Sequence, residues 1–176
     1  ATGATEQYYY DENNLVYKKV DSMGGETWYG YNSWHERTLV GTPEGKVVGY
    51  DYDDRGNLIR LTAADGAETV YEYDDHNRLI ARMDAAGNRE EWVYDTETAL
   101  LLKHKEADGT VVTYTYEKDK QQPSAIEYGE ELRAVLQYDT LGLISNITDG
   151  HGVCETFAYD DYGRPLKHKH ADGNCT

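Results

Sequence analysis

Basic side chains are scarce in this chain. Its 176 residues include 17 Lys and Arg against 33 Asp and Glu, which gives a formal net charge of −16. Nucleic acids and anionic membrane surfaces bind proteins through a basic footprint, so neither is expected as a partner. Long apolar runs are also missing, since the longest is a short stretch around Leu101. A helix that spans a bilayer needs roughly 20 such residues, so no membrane insertion is expected, and no N-terminal targeting signal is recognisable.

Tyrosine is abundant, and it recurs with a period of about 21–22 residues, the size of a small repeating unit. The repeat can be aligned on eight anchor tyrosines, which are Tyr10, Tyr31, Tyr52, Tyr73, Tyr94, Tyr116, Tyr138 and Tyr159. An aromatic residue stands two positions before seven of these anchors, with Leu136 as the exception, and a glycine follows every anchor in the second half of its unit. Such a period indicates an array of similar units, so the high aromatic content needs no ligand to explain it.

Each unit has the pattern of a β-hairpin. Residues 68–73 alternate polar and apolar side chains, as a half-buried strand does. A turn cluster at 74–78, a second short strand at 79–83 and a turn at Gly87 complete the unit. The sequence therefore predicts an all-β array of tandem antiparallel hairpins in one long, curled sheet, in which anchors of successive repeats stack on one face. The array covers residues 1–176 in about eight repeats. Residues 117–137 are a degenerate repeat, with an inserted helix as the minor alternative.

The two cysteines test this architecture. Cys154 and Cys175 lie one repeat apart and share one phase of the repeat. In a hairpin meander, equivalent positions are two strands apart, roughly 9–10 Å, which exceeds the ~7 Å limit between the Cα atoms of a disulfide. Two free thiols are therefore expected, and a disulfide would contradict the meander.

Three groups of residues could carry chemistry. Paired acids such as Asp53 and Asp54 could hold calcium, but they recur at the turn of each repeat, where aspartate caps backbone N–H groups. His168 and His170 could form a metal pair on one strand face, although no third ligand is evident. Cys154 follows His151 closely in the chain, without an orienting acid. The glycines follow the repeat and form no phosphate loop. We therefore expect no catalytic, cofactor-binding or metal-binding residue, no cofactor and no enzymatic activity.

The repeat resembles that of a known family. Residues 52–58, Tyr-Asp-Asp-Arg-Gly-Asn-Leu, and residues 159–165, Tyr-Asp-Asp-Tyr-Gly-Arg-Pro, are similar to the YD repeat of Rhs proteins. Ala-Asp-Gly turns at residues 64–66, 107–109 and 171–173 extend the likeness. The glycine of the first turn is kept at Gly56, Gly142 and Gly163, and asparagine replaces it at Asn14 and Asn77. At His35, Thr98 and Lys120 the pattern is broken, which leaves the geometry of those turns open.

The resemblance implies a scaffold. Rhs proteins, insecticidal toxin components and teneurins use YD-repeat tracts to build a hollow β-shell, and in bacterial members the shell encloses a C-terminal toxin. The chain is then a structural segment whose partners are the remaining repeats and the toxin of a larger protein. That protein would be made in the cytoplasm and then exported or displayed at the cell surface. The shell-sealing motifs of the family have no match, because none of Pro43, Pro123 and Pro165 follows an aspartate.

Two further expectations concern partners. Aromatic hairpin repeats of similar length also occur in choline-binding and clostridial toxin modules, so a carbohydrate or cell-surface binding module is the alternative function. Those modules are rich in tryptophan, whereas this chain has Trp28, Trp34 and Trp92 in different settings. In addition, the chain reads as a segment of a longer protein, and such a segment exposes edge strands that can pair with another copy. Self-association through edge strands is therefore expected.

Overall fold

The computed structural model describes residues 5–171, which form sixteen β-strands and no helix. The chain divides into two compact units, Ala1–Arg89 and Glu90–Thr176. No helix in the described part of the chain is long and apolar enough to cross a membrane. The all-β class and the tandem antiparallel hairpins predicted from the sequence are confirmed.

The first unit is an antiparallel meander in which strands adjacent in the chain are adjacent in the sheet. Its strands are β1 (Gln7–Tyr10), β2 (Val16–Val20), β3 (Glu26–Tyr31), β4 (Arg37–Gly41), β5 (Val47–Tyr52), β6 (Leu58–Thr62), β7 (Glu68–Tyr73) and β8 (Leu79–Met83). Each odd-numbered strand ends on an anchor tyrosine. The residues before each anchor alternate between the two faces of the sheet, as the period of two in the sequence predicts.

The second unit repeats this order. Its strands are β9 (Arg89–Tyr94), β10 (Leu101–Lys105), β11 (Val111–Tyr116), β12 (Pro123–Tyr128), β13 (Glu131–Tyr138), β14 (Ile144–Asp149), β15 (Cys154–Tyr159) and β16 (Pro165–Ala171). Within the described residues, only Ala81, Val112 and Cys154 are buried among the apolar side chains. Each unit is therefore a single-layered sheet whose strands are stabilised by their neighbours and not by a central core.

Every anchor lies opposite a β-bulge. Tyr73 pairs with Leu79 while Glu72 pairs with Ala81, so Ile80 is an extra residue on the second strand of the hairpin. The same register shift occurs at the anchor in all eight anchor-containing hairpins of the described chain. A bulge interrupts the ladder and bends the strand locally, which leaves the carbonyl of the residue opposite the anchor available to other donors.

Three turns that the sequence left open are now defined. His35 takes a left-handed conformation, with φ 66°, and closes a regular turn through its N–H to the Asn32 carbonyl. The turn at Thr98 is one residue longer, with Ala99 in the left-handed position, which accounts for the longer spacing after Tyr94. At Lys120, the left-handed residue is Asp119 instead. Short polar side chains and histidine tolerate this backbone region better than branched ones.

The degenerate segment forms strands. Residues 117–137 contain β12 and most of β13, so the inserted helix considered as a minor alternative is wrong. Pro123 is the first residue of β12, a strand position that needs no ladder donor. A two-residue turn at Gly129 and Glu130 then joins Tyr128 directly to Glu131, with Gly129 at φ 64°, as tight hairpin turns require. The division of residues 1–176 into about eight repeats stays a prediction.

The expectation of a free thiol at Cys154 is wrong. Cys154 is only 2% exposed and is disulfide-bonded, while the chain's other cysteine, Cys175, lies outside the described residues. The spacing argument holds for two cysteines in regular strands that lie two strands apart, and Cys154 does begin such a strand, β15. Since strands β13 to β16 form a meander all the same, the disulfide does not contradict the architecture.

A pair of glycine substitutions tests the turn geometry. Gly66 has φ +87° and open space where a Cβ would stand, so Gly66→Ala should destabilise through the backbone alone, by about 1–2 kcal/mol. Gly49 lies in β5, where an added Cβ would make ordinary contact with Thr62 at 3.6 Å. We expect Gly49→Ala to be neutral or slightly stabilising because it restricts the unfolded chain. Urea unfolding of both variants measures this, and equal effects would contradict the turn assignment.

Candidate functional site

The recurring aspartates cap the turns. At six of the hairpin turns that follow an anchor, the side-chain Oδ1 of the next residue accepts backbone N–H groups two and four positions later, at 2.8–3.0 Å. These capping residues are Asp11, Asn32, Asp53, Asp74, Asp139 and Asp160. Asp21, Asp84 and Asp149 do the same at the other turns. No group of three or more acids, histidines or cysteines in residues 5–171 is placed to hold a metal ion.

The turn contacts of Asp53 and Asp74 lower the pKa of these two capping carboxyls. Partial desolvation opposes ionisation of Asp74, but hydrogen bonds from the N–H and guanidinium of Arg78 and from the N–H of His76 outweigh it and lower the pKa from 3.8 to about 2. Hydrogen bonds from the Asn57 side chain and backbone likewise lower the pKa of Asp53. A hydrogen bond to a carboxylate favours the charged form, so Asp53 and Asp74 cap their turns as ionised carboxylates at neutral pH.

The anchors connect successive repeats through their hydroxyl groups. Each of six anchors donates from its hydroxyl to a backbone carbonyl in the preceding hairpin, at 2.8–3.1 Å. The pairs are Tyr31 with Val16, Tyr52 with Arg37, Tyr73 with Leu58, Tyr116 with Leu101, Tyr138 with Pro123 and Tyr159 with Ile144. Every one of these acceptors is the residue opposite the preceding anchor at its bulge. We call this contact the tyrosine–bulge lock.

The lock joins two features that each repeat supplies. An anchor lies opposite the bulge of its own hairpin, and its hydroxyl satisfies the bulge carbonyl of the hairpin before. Tyr73 and Tyr138 are half-buried, and desolvation raises the pKa of both phenols, which keeps the hydroxyls protonated as donors. One such bond contributes a net of about 1 kcal/mol. The contact occurs six times, so it helps to align each of these six hairpins on the hairpin before it.

The lock replaces the ring stacking expected between anchors. In the described residues, the ring pairs at close range join other side chains: Tyr9 with Tyr17, Tyr17 with Trp28, Trp92 with His104 and Phe157 with His168. Anchors of successive repeats are two strands apart, roughly 9–10 Å, beyond the roughly 4.5–7 Å at which rings interact. Stacking of anchor on anchor was therefore the wrong mechanism, although the anchors do connect the repeats.

A sequence signal for the lock was present and missed. All eight anchors are tyrosine, whereas the position two residues earlier accepts tyrosine, tryptophan, phenylalanine and leucine. A site that only needs an aromatic ring would tolerate phenylalanine. The strict choice at the anchor indicates that the hydroxyl is used, and the six bonds show its acceptor.

The face of the sheet away from the anchors carries ion pairs. Lys18 contacts Glu26 at 2.9 Å, and Arg89 makes two bonds to Glu72 at 2.7 and 3.0 Å. Lys18 also lies over the rings of Tyr9 and Trp28, within 4.9 Å of each centroid. Exposed pairs of this kind contribute little stability. The anchor face carries ion pairs as well, since Glu155 contacts His168 and His170 there, so both faces hold charged and aromatic groups.

The other candidate residues are not brought together as a reactive site. His168 and His170 both contact Glu155, at 3.2 and 3.3 Å, and the ring of His168 stacks on Phe157 at 4.6 Å. Cys154 is bonded as a disulfide and lies 3.4 Å from the Thr148 hydroxyl, so it is no free nucleophile. His151 lies exposed in the turn that Asp149 caps. The sequence-based interpretation of these groups as structural stays the simplest one.

The tryptophans do not share one setting. Trp28 is 44% exposed beside Tyr17, Trp34 is 63% exposed in a turn, and Trp92 stacks against His104 at 4.9 Å. A repeated ligand site, as in the carbohydrate-binding modules, would place equivalent rings at equivalent positions. The arrangement does not favour that alternative.

Known proteins show similarity to this chain at two levels. No curated protein sequence matches it. The TcdB2–TccC3 complex is 13% identical, with 98% of this chain and 15% of that chain covered and a TM-score of 0.40. The Photorhabdus luminescens Tc holotoxin pore with a TccC3 variant is 12% identical, with 95% and 13% covered and a TM-score of 0.38. A porin-like protein from Bacteroides uniformis is 10% identical, with 96% and 91% covered and a TM-score of 0.37.

Similarity at these TM-scores decides neither fold nor function, and the chain spans 13% to 15% of the length of the toxin-complex chains. The family comparison is more informative, because it rests on the repeat itself. Residues 52–89 and 138–174 match the RHS repeat. Both segments contain an anchor, its capped turn and the following hairpin strand, which are the elements that form the lock. The chain carries RHS repeats, and its resemblance to the Rhs and YD-repeat family is confirmed.

Proposed function

We propose that this chain is part of a β-sheet shell that encloses a toxin belonging to the same parent protein. The observation that carries the proposal is the single-layered sheet of RHS repeats in each unit. Such a sheet buries almost no side chain completely, with three apolar residues as the exceptions in residues 5–171. The wall of a container has this property, because its two faces contact the contents and the surroundings and not a core within the wall.

The tyrosine–bulge lock supports the same role. A repeat array is stabilised by contacts between neighbours and can be lengthened without building a larger core. Here, each added hairpin brings an anchor that bonds to the previous bulge, as Tyr52 bonds to the Arg37 carbonyl at 2.9 Å. An array that lengthens in this way is suited to form a long, continuous wall. We infer a structural segment without catalytic activity of its own.

Both faces of the sheet present side chains that can contact other groups, as the faces of a wall must. The anchor face presents half-buried tyrosine and aliphatic side chains, such as Tyr50 and Leu61, which pair across β5 and β6. The opposite face presents ion pairs, such as Arg60 between Asp51 and Glu68 at 3.9 and 3.8 Å. We propose that the parent protein is exported with its cargo enclosed, and that its remaining repeats and the toxin are the partners of this chain.

The test begins with the natural polypeptide that contains these residues. Antibodies against this chain should recover a protein many times longer, in which mass spectrometry finds further RHS repeats followed by a segment without repeats. Limited proteolysis should spare that segment in the native protein and cut it once urea opens the shell. The same segment produced alone should be cut at once, which is the control for its intrinsic sensitivity.

Two results would reject encapsulation. A natural product no longer than this chain could enclose nothing. A non-repeat segment that is cut as fast in the native protein as in urea would show that the repeats do not shield it.

A further inference from the structure

Glycine within strands is confined to one region of the described chain. In residues 5–171 the strand glycines lie in three neighbouring strands, β3, β4 and β5, and they are Gly30, Gly41 and Gly49. All three lie on the face away from the anchors, since Gly30 directly precedes the anchor Tyr31 and the ladder places the other two on the same face. Glycine destabilises a strand relative to alanine, and it often marks a place where a ligand or another backbone approaches closely.

The fold does not require two of these glycines. A Cβ at Gly41 would stand 3.7 Å from the Trp28 Cβ, and a Cβ at Gly49 would stand 3.6 Å from the Thr62 Cβ, which are ordinary contacts. Neither glycine has the positive φ of the turn glycines. At Gly30 the nearest atom is closer, at 3.2 Å. The glycines at 41 and 49 therefore leave room above the sheet that the described part of the chain does not fill.

Exposed apolar side chains border these glycines. Gly41 pairs with Trp28 on one side and with Val47 on the other, and these two side chains are 44% and 47% exposed. Leu39 lies between the other two glycines and is 38% exposed. The three side chains line a groove of about 580 Å³, which we call the glycine groove. A contiguous apolar patch that stays exposed often marks a binding site.

The apolar surface continues from the groove to β1. The Tyr17 ring centroid lies 6.1 Å from that of Trp28 and 6.4 Å from that of Tyr9. From β1 to β5 the surface crosses four strand spacings, roughly 19 Å at about 4.8 Å each. An extended peptide of about six residues has the same length, at roughly 3.3 Å per residue. The surface therefore has the dimensions of a peptide site.

Neighbouring repeats do not fill this groove. Each of β3, β4 and β5 is paired on both sides, so further repeats add strands beside the sheet and not over its face. The backbone groups of these three strands are already used in the ladder. An occupant therefore has to lie on the face and bind through side chains, with its own backbone brought close to the sheet over the glycines.

The charged groups beside the groove favour a basic occupant. Asp21 accepts a backbone N–H of the groove at 2.9 Å, and its charge acts on the nearby Glu44 carboxyl. Lys46 also lines the groove, so two carboxylates lie near one ammonium group. The next ion pair, Lys18 with Glu26, is already formed at 2.9 Å. In a chain with a net charge of −16, the surrounding field is negative as well.

We propose that the glycine groove binds an extended peptide segment of a partner protein, in which apolar residues alternate with lysine or arginine. The side chains of an extended peptide point alternately to two sides. The apolar ones contact Trp28, Leu39 and Val47, while the long basic ones reach the carboxylates of Asp21 and Glu44. The contact is separate from the enclosure of a toxin, so either proposal can fail without the other.

A sugar ring fits the groove less well than a peptide. Sugars bind to proteins by stacking on the flat face of an aromatic ring, and the Lys18 ammonium already lies over the Trp28 ring, 4.9 Å from its centroid. An anionic ligand is disfavoured by the negative charge of the chain.

A fluorescent peptide probe tests the site at physiological ionic strength, where attraction between exposed charges is screened. A hexapeptide of alternating leucine and lysine with blocked ends should bind the chain saturably, as measured by fluorescence anisotropy. Peptides with serine in place of leucine, or with glutamate in place of lysine, should bind about tenfold more weakly or worse, the effect of losing one of the two kinds of contact. Absence of binding would overturn the proposal. So would equal binding of the serine–lysine peptide, which would show charge attraction alone.

Glycine substitutions locate the site. Gly41→Ala and Gly49→Ala place a methyl group in space that the peptide needs, so each should weaken binding by about threefold to tenfold. Their melting temperatures should be unchanged or higher, because alanine restricts the unfolded chain. Gly66→Ala is the matched control: it strains a turn outside the groove, so it should lower the melting temperature and leave the affinity unchanged. Equal affinity in the wild type, Gly41→Ala and Gly49→Ala would reject the groove as the site.

Trp28 reports the contact directly. The double substitution Trp34→Phe and Trp92→Phe leaves Trp28 as the single tryptophan of the chain, and its emission should move to shorter wavelength when the peptide covers the ring. An unchanged spectrum at saturation would show that the peptide binds elsewhere. Displacement of the peptide by a neutral oligosaccharide, or by an excess of the unlabelled chain, would assign the groove to a sugar or to a second copy and would likewise overturn the proposal.

Discussion

Replacing Tyr73 with phenylalanine is expected to lower the free energy of unfolding by about 1 kcal/mol, because it removes the hydroxyl that bonds the Leu58 carbonyl at 3.0 Å. The ring stays in place, so the loss in free energy of unfolding measures the hydroxyl bond of the lock alone. Replacement with alanine also removes the half-buried ring, and the loss should reach about 2–3 kcal/mol, somewhat below the range for a fully buried aromatic. Urea unfolding monitored by circular dichroism gives both values.

Tyr71 is the matched control for this series. It lies two residues earlier on the same strand and face and pairs across the hairpin with Arg82. Its hydroxyl takes no part in a lock, so Tyr71→Phe should leave the free energy of unfolding within about 0.5 kcal/mol of the wild type. Equal losses for Tyr71→Phe and Tyr73→Phe would mean that the hydroxyl bond does not connect the repeats. A change in the denaturant slope would show that the array unfolds in parts.

The architecture was predictable because local rules determine it. The alternation before Tyr73, the capped turn at Asp74 and the positive-φ glycine at Gly87 each follow from residues close together in the chain. Hairpins then join in the order of the sequence, since each turn is short enough to bring the next strand alongside. A fold built from pairings between strands adjacent in the chain has few alternative topologies, and every repeat carries the same local signals.

The contact between repeats could not be predicted in the same way. It depends on a bulge such as the one at Leu58, and a bulge is a property of the register between two strands, which residue types alone do not define. Ring stacking was the obvious role for a recurring tyrosine, but equivalent anchors are too far apart for it. The hydroxyl spans the remaining distance, because it extends beyond the ring toward the previous bulge.

Two local features differ from the structure that the sequence predicts for other reasons. His35 closes a regular turn although it breaks the glycine pattern, because Asn32 caps that turn through the Trp34 and Glu36 N–H groups at 3.0 and 2.9 Å. The cap offsets the cost of the left-handed backbone. Cys154 forms a disulfide although a spacing rule for regular strands predicted a free thiol.

Acid should unfold this protein through its turns. The capping carboxyl of Asp74 has a pKa lowered from 3.8 to about 2, since the bonds from Arg78 and His76 outweigh desolvation. The pKa values of Asp21, Asp53, Asp84, Asp149 and Asp160 are lowered in the same direction. A carboxyl with a depressed pKa in the folded state stabilises fully above its unfolded value. That stability is lost as pH falls through the folded value. The free energy of unfolding should therefore be steady above about pH 5 and decline between about pH 4 and pH 2.

Asp74→Asn separates the titration from the cap. An asparagine side-chain oxygen accepts the same N–H bonds without a titrating proton, as Asn32 does in the natural sequence. Unfolding in urea at a series of pH values should show a smaller decline for Asp74→Asn than for the wild type, with a lower plateau because the bond to the Arg78 guanidinium at 2.6 Å is weakened. Asp75→Asn, which changes an exposed neighbour that caps no turn, should keep the full decline. If the free energy of unfolding declines equally in Asp74→Asn and Asp75→Asn, the turn aspartates do not govern acid stability. Repulsion among the protein's other charges would then have to account for the decline, because the net charge becomes positive at low pH.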